Sequence, residues 1–140
     1  MLYKGHYDSL DNQSRYIPSL LIQKSTIPTA GKGLFASEFI ENGTHLGWYY
    51  GKIYFTHPEN DSHYILQVER KLVWVPQDLW SKRNKGGIFI DGDLDNPLSM
   101  LNHSHQANVR CLQNGRIVAQ KNIQSGSELF LNYGTHFFAD

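Results

Sequence analysis

Apolar residues in this chain fall in runs that are too short for helix faces and that recur too regularly for loops. They are Leu20 to Gln23, Leu34 to Ala36, His45 to Tyr50, Tyr64 to Val68, Leu72 to Val75, Ile88 to Ile90, Val109 to Leu112, Ile117 to Ala119 and Leu129 to Tyr133. Residues with turn chemistry separate them. Asn114-Gly115 supplies the positive φ angles of a tight hairpin between Val109–Leu112 and Arg116–Ala119, and Glu41-Asn42-Gly43 and Gly86-Gly87 mark further turns. Such a pattern predicts a mainly β chain. Helix is confined to a turn or two near Pro76–Trp80 and near Pro97–Leu101, where proline fits a first helical turn. No β-α-β rhythm appears, which disfavours a doubly wound nucleotide-binding sheet.

With 140 residues and no internal repeat, low-complexity tract or Gly/Ser linker, the chain reads as one domain with enough material for its own core. The polar stretch 1–16, with Asp8, Ser9, Asp11, Asn12, Gln13 and Ser14, reads as a loosely held lead-in, and the folded domain spans 17–140. Thirteen basic residues balance thirteen acidic ones. No overall field therefore draws the chain to nucleic acid or to an anionic membrane, and direct binding to either is not expected. The one cysteine, Cys111, cannot form an internal disulfide, and Met1 to Tyr16 lacks the basic start and apolar run of a secretory signal. An intracellular, reducing setting follows as the expectation. Runs such as Leu20-Leu21-Ile22 fall far short of the roughly 20 residues that span a bilayer.

Several segments carry possible chemistry. Gly31-Lys32-Gly33-Leu34-Phe35-Ala36 follows the first apolar run; alone it reads as an ordinary glycine turn, yet paired glycines also let backbone polar groups approach a ligand closely. Trp48-Tyr49-Tyr50-Gly51-Lys52 alone reads as a half-buried aromatic strand. Leu101-Asn102-His103-Ser104-His105-Gln106-Ala107-Asn108 alone reads as a polar capped turn, and Glu128-Leu129-Phe130-Leu131-Asn132-Tyr133-Gly134 as an edge strand ending in tyrosine. His103 and His105 are two apart, with His136 later, so a strand could aim two imidazoles at one metal in a β-fold oxygenase or hydrolase. No carboxylate stands at a spacing that would complete that ligand set. Cys111 lies inside an apolar alternation, where a buried structural role outweighs a nucleophilic one.

Taken together and in order, these segments resemble the signatures of the SET-domain protein lysine methyltransferases. The resemblance runs over roughly residues 20 to 138. It implies a fold of several small sheets around a C-terminal pseudoknot with a few short helices. It also implies S-adenosylmethionine as cofactor and a lysine side chain of a protein substrate as acceptor. Lys32, Gly33 and Leu34 would lie against the methionine part of the cofactor, and Asn102 and His103 would hold the adenine. Tyr64, from Asp61-Ser62-His63-Tyr64-Ile65-Leu66, would face the junction of cofactor and lysine; Tyr133 would be catalytic; Tyr49, Tyr64 and Leu131 would line the substrate channel; and Phe138 would close the cofactor pocket.

The pattern also departs from the family. Trp48 and Lys52 replace acidic residues, Ser99 and Met100 replace an Arg-aromatic pair, His105 replaces a Cys and Ala107 a Pro. The tail 134–140 has no Cys, so no zinc segment is expected after Tyr133, and no other metal site is implied. This places the chain nearest in type to the minimal viral and bacterial SET proteins. Leu131 in place of an aromatic ring leaves room for more than one added methyl group. Histone tails are the substrate class the family implies most often, which would place the protein on chromatin in the nucleus; another protein substrate would place it in the cytoplasm. A second copy could complete the substrate groove. The non-catalytic alternative is a peptide-binding module that keeps the fold without turnover.

Overall fold

The structure is a computed structural model and describes residues 1–59, 65–72, 74–93, 95–112 and 115–132. Its elements are almost all short strands: β1 (Leu2–Tyr3), β2 (His6–Asp8), β3 (Arg15–Ile17), β4 (Leu20–Lys24), β5 (Lys32–Ala36), β6 (His45–Trp48), β7 (Gly51–Tyr54), β8 (Ile65–Val68), β9 (Ile88–Gly92), β10 (Asn102–His103), β11 (Val109–Cys111), β12 (Arg116–Ala119) and β13 (Phe130–Leu131). One helical turn, α1 (Gln77–Trp80), and one 3₁₀ turn, Pro97–Met100, complete the set, both where proline predicts them. The chain is mainly β, as its turn-punctuated sequence predicts, and is divided among several small sheets, as the family resemblance implies.

Three of these sheets have three strands, in the orders β1-β4-β5, β7-β9-β8 and β11-β12-β6, and two are pairs, β2-β3 and β10-β13. The hairpin predicted at 114–115 has its strands in register, with Val109 opposite Ala119 and Cys111 opposite Ile117, and Gly115 at φ +87°. In β6, Ile117 and Val118 of the partner face Gly47 and His45, so Leu46 is an extra residue. Gly47 takes φ +128° in that bulge, which side-chain-bearing residues rarely adopt.

The core joins the sheets through Leu20, Leu34, Ile40, Leu46, Ile88, Ile90, Leu98, Ile117 and Leu129, all essentially solvent-free. Two sequence expectations change. Of Leu72–Val75, expected as a strand, Val73 lies outside the described residues; Val75 N–H donates to the Leu72 carbonyl at 3.2 Å as in a turn, and the Leu72 and Val75 side chains are buried in the core. The polar lead-in 1–16 contains the paired strands β1 and β2 and the start of β3. Asp8 accepts from the Trp48 indole at 2.8 Å and contacts His45 Nε2 at 3.0 Å, fastening the β2-β3 hairpin to β6. Period-2 apolar alternation is weak there because the hairpin is held by polar contacts. Among the described residues no helix is long and apolar enough to cross a membrane.

Candidate active site

The C-terminal segment builds the site by lying between two distant parts of the chain. Ala36 N–H donates to the Ser127 carbonyl, Gly126 N–H to the Ala36 carbonyl and Leu129 N–H to the Leu34 carbonyl, at 2.9, 2.8 and 2.7 Å, which extends the β5 edge. Two residues on, the segment becomes β13 and pairs parallel with β10, Asn102 opposite Phe130 and His103 opposite Leu131. Beyond β10 the chain returns to grip the same segment. Asn108 N–H donates to the Phe130 carbonyl, its Oδ1 accepts from Phe130 N–H at 2.8 Å, and its Nδ2 donates to the Glu128 carbonyl at 2.9 Å. Residues 102–108 thus clasp residues 128–131, the crossing of two loops that a pseudoknot requires.

Glu128 sits at the centre of this crossing. It is 6% exposed and accepts from Ser25 Oγ at 2.8 Å, from Thr26 N–H at 2.8 Å, from Thr26 Oγ1 at 2.6 Å and from Asn102 Nδ2 at 3.1 Å. Burial pushes its carboxyl pKa up, but the donors from Thr26, Asn102 and Ser25 together outweigh burial and hold it below the ordinary carboxylate value. Sequence reading gave Glu128 no role of its own. A charged residue opening an apolar run was its only signal, and the partners that explain it lie about a hundred positions away.

Asn102 Nδ2 also donates to the Lys32 carbonyl at 3.0 Å and to Ser25 Oγ at 3.2 Å. Gly33, between these groups, has no room for a side chain: a Cβ there would strike the Glu128 carboxylate and approach Asn102 Nδ2. The sequence-predicted residues Lys32, Gly33, Asn102 and His103 are therefore brought together on one surface, with Lys32 and His103 exposed and Gly33 buried beneath. The Asn102 amide donors are engaged with protein. The space beside Gly33 is filled by Glu128 and Asn102, and the exposed Lys32 and His103 form the outer part of a surface suited to a polar cofactor. Leu34 is fully buried and its carbonyl is taken by Leu129, so its side chain belongs to the core.

Leu131 is buried in β13, beside His103. Tyr49 is 2% exposed; its N–H donates to the Gly115 carbonyl, its carbonyl accepts from the Trp74 indole at 3.0 Å, and its hydroxyl abuts Gly92. Tyr64, Tyr133, Phe138 and His136 lie outside the described residues. The His103 and His105 rings meet edge to face at 4.8 Å, and among the described residues no group of three or more His, Cys, Asp or Glu is placed to hold a metal ion.

Comparison with known proteins agrees with this geometry. Residues 31–134 match the family model described as SET domain. The chain is 30% identical over 135 residues to the histone-lysine N-methyltransferase EZH2 of Chaetomium thermophilum, an alignment covering 85% of this chain and 8% of that protein. Among solved structures, the crystal structure of the Chaetomium thermophilum polycomb repressive complex 2 superposes with a TM-score of 0.63 at 26% identity, covering 86% of this chain and 16% of that one. The same complex in an autoinhibited conformation bound to S-adenosylmethionine gives 0.57 at 24% identity, covering 86% and 16%. The chain thus spans a small fraction of the length of the relatives it matches. The family match covers the glycine strand, the 102–108 clasp and the segment it grips, and the chain belongs to the SET-domain family of protein lysine methyltransferases.

Proposed function

We propose that this chain transfers methyl groups from S-adenosylmethionine to the side-chain amine of a lysine in a protein substrate, with Tyr133 at the reaction centre. The observation that carries this reading is the convergence at Asn102, whose amide spans the Lys32 carbonyl on the glycine strand and Glu128 on the C-terminal segment. That contact joins the surface suited to a cofactor to the segment that leads to Tyr133. Lys32, Gly33, Leu34, Asn102, His103, Tyr64 and Phe138 are the groups assigned to the cofactor. When bound, S-adenosylmethionine supplies a methyl carbon made electrophilic by its attachment to a sulfonium.

The chain's own residues have two tasks. A free lysine, with a pKa near about 10.4, is almost wholly protonated at neutral pH, and the acceptor must be neutral to attack. An apolar channel walled by Tyr49, Tyr64 and Leu131 disfavours the ammonium form by excluding water, so no strong base is required. The Tyr133 hydroxyl then orients the amine lone pair toward the methyl carbon. Leu131 offers no hydroxyl and less bulk than an aromatic ring, which suits di- or trimethylation. The printed name of the relative makes a histone the first substrate to try, with the nucleus as the corresponding site of action. A homodimer could complete the groove for the substrate.

The test is transfer of a labelled methyl group from S-adenosylmethionine to histones, other basic proteins and cell extract, by wild type and by Tyr133→Phe. Labelling that collapses in the variant supports the reading. Cofactor binding by calorimetry without transfer to any substrate reassigns the chain to a peptide-binding module; absence of cofactor binding removes the reading.

A further inference from the structure

A cleft beside the end of β6 shares no residue with the cofactor surface. It is lined by Asp8, Leu10, Trp48, Tyr50 and Trp74 and has a volume of about 360 Å³. We propose that this cleft binds the methylated ammonium of a lysine side chain carried by a partner peptide. Three aromatic rings and a carboxylate converge here. Tyr50 is 39% exposed, and its ring stands nearly perpendicular to that of Trp74, with centroids 6.5 Å apart and an 80° interplanar angle. Trp48 forms a third wall, and its orientation is set by the indole N–H donated to Asp8 Oδ2 at 2.8 Å. The Trp74 indole is fixed in turn by the Tyr49 carbonyl. Both indole donors are thus used by protein; Trp48 is 4% exposed and packs on the His45 ring, so the ring surface open to a ligand is chiefly that of Tyr50 and Trp74.

The charge around the cleft favours a cation. Asp8 forms part of the wall, Asp93 N–H donates to the Tyr50 carbonyl at 3.1 Å, and Asp95 lines the adjoining cavity together with Asp8, Trp48 and Tyr50. The phenol of Tyr50 is harder to ionise than usual, first because of burial and then because Asp93 and Asp95 lie close by. Of the nearby cations, Arg15 is committed to Asp11 at 2.7 Å, and Lys4 and His6 line the adjoining cavity with Asp95, so the carboxylate within this cleft is that of Asp8. His45, also in contact with Asp8, is buried and its pKa is lowered mainly for that reason, so it does not cancel the carboxylate at neutral pH.

Aromatic faces attract cations through their quadrupoles, and they do so best when the cation is weakly hydrated. An unmodified ammonium loses three strong hydrogen bonds to water on entering such a site, whereas a trimethylammonium loses none and also buries its methyl groups. The choice of lysine as the carrier rests on the proposed reaction, which makes that group; the cleft itself does not. It would let the domain hold a product-bearing peptide while the transfer site acts elsewhere on the chain.

The experiment is calorimetric titration of the full chain with a synthetic peptide bearing one central trimethyl-lysine among Gly and Ala, with its unmodified counterpart, and with tetramethylammonium chloride. Wild type is expected to bind the trimethylated peptide at least about ten-fold more tightly than the unmodified one. Tyr50→Ala should abolish that preference, Tyr50→Trp should keep it, and Tyr133→Phe should leave it intact. Equal binding of both peptides, or a preference that survives Tyr50→Ala, overturns the proposal. So does a preference lost only in Tyr133→Phe, which would place the methylated side chain in the transfer channel. Binding of tetramethylammonium without the peptide overturns the peptide occupant. A trimethyl-lysine preference in a chain that transfers no methyl group would sink the proposed reaction and leave the cleft standing.

Discussion

Asn102 and Glu128, 26 positions apart, meet side chain to side chain at 3.1 Å where the 102–108 loop crosses the C-terminal segment. The carboxylate gathers donors from Ser25 and Thr26 on one side and Asn102 on the other, two parts of the chain remote from each other in sequence. In Glu128→Gln, one amide oxygen must replace two carboxylate oxygens, and an NH₂ is pushed toward existing donors. A loss of about 2–4 kcal/mol in unfolding free energy is expected, since removing one partner strands several buried donors. Urea denaturation of wild type and variant measures it; a change below about 0.5 kcal/mol would mean that water replaces the carboxylate without penalty.

Acid should weaken the fold in two windows. Burial makes the charged form of His45 costly, so its folded pKa lies below 6.5. As pH falls below about 6.5, the unfolded chain takes up this proton first and stability declines until the folded pKa is passed. Glu128 is likewise held below its ordinary 4.5 in the folded state. Its contribution is complete above that value and is lost as pH falls through the lower, folded pKa. Denaturant midpoints from pH 8 to 3 should therefore fall in two steps, and Glu128→Gln should shrink the second, to which Glu38 and Asp11, also held below their ordinary values, contribute. A second step that persists unchanged in the variant would assign it to another carboxylate.

A methyl group placed on Gly33 meets Glu128 and Asn102 at once. Gly33→Ala should cost about 1–3 kcal/mol through overpacking and should also weaken calorimetric binding of S-adenosylmethionine, because the same shift displaces Asn102 from the Lys32 carbonyl. Stability and affinity falling together is the expected signature. Lost stability with wild-type affinity would separate the glycine from the cofactor surface.

Burial pushes the Cys111 thiol up to about 12, so no thiolate forms at physiological pH. An aromatic disulfide reagent should leave the native protein unmodified and label one thiol at the rate of unfolding. Rapid labelling under native conditions would show that the β11-β12 hairpin opens locally.

Much of this was legible in the residues, and what was not has a common cause. Gly115 and its strands follow from local turn chemistry, as do the two proline-initiated helical turns. By contrast, Leu72 and Val75 are as apolar as strand residues, and only the tertiary position of Trp74 against Tyr49 distinguishes a core-filling turn. The lead-in strands depend on Asp8 reaching Trp48 and His45, 40 and 37 positions away. Glu128 is the extreme case, since its environment is supplied almost entirely by residues remote in sequence.

The clasp of residues 102–108 around 128–131 also bears on when this surface comes into existence. Contacts spanning 103 positions, such as Ser25 with Glu128, cannot be rewarded until the intervening chain has condensed, and closing so long a loop is slow. Local hairpins such as β11-β12 can form well before, but the surface at Gly33 and Asn102 has no precursor until the final crossing is made. Ligand competence should therefore arrive in one late kinetic phase and vanish in one early opening event, while the β7-β9-β8 sheet is still intact. Hydrogen exchange would then find the amides of Phe130 and Leu129 less protected than those of Ile90 in a protein whose sheets are otherwise sound.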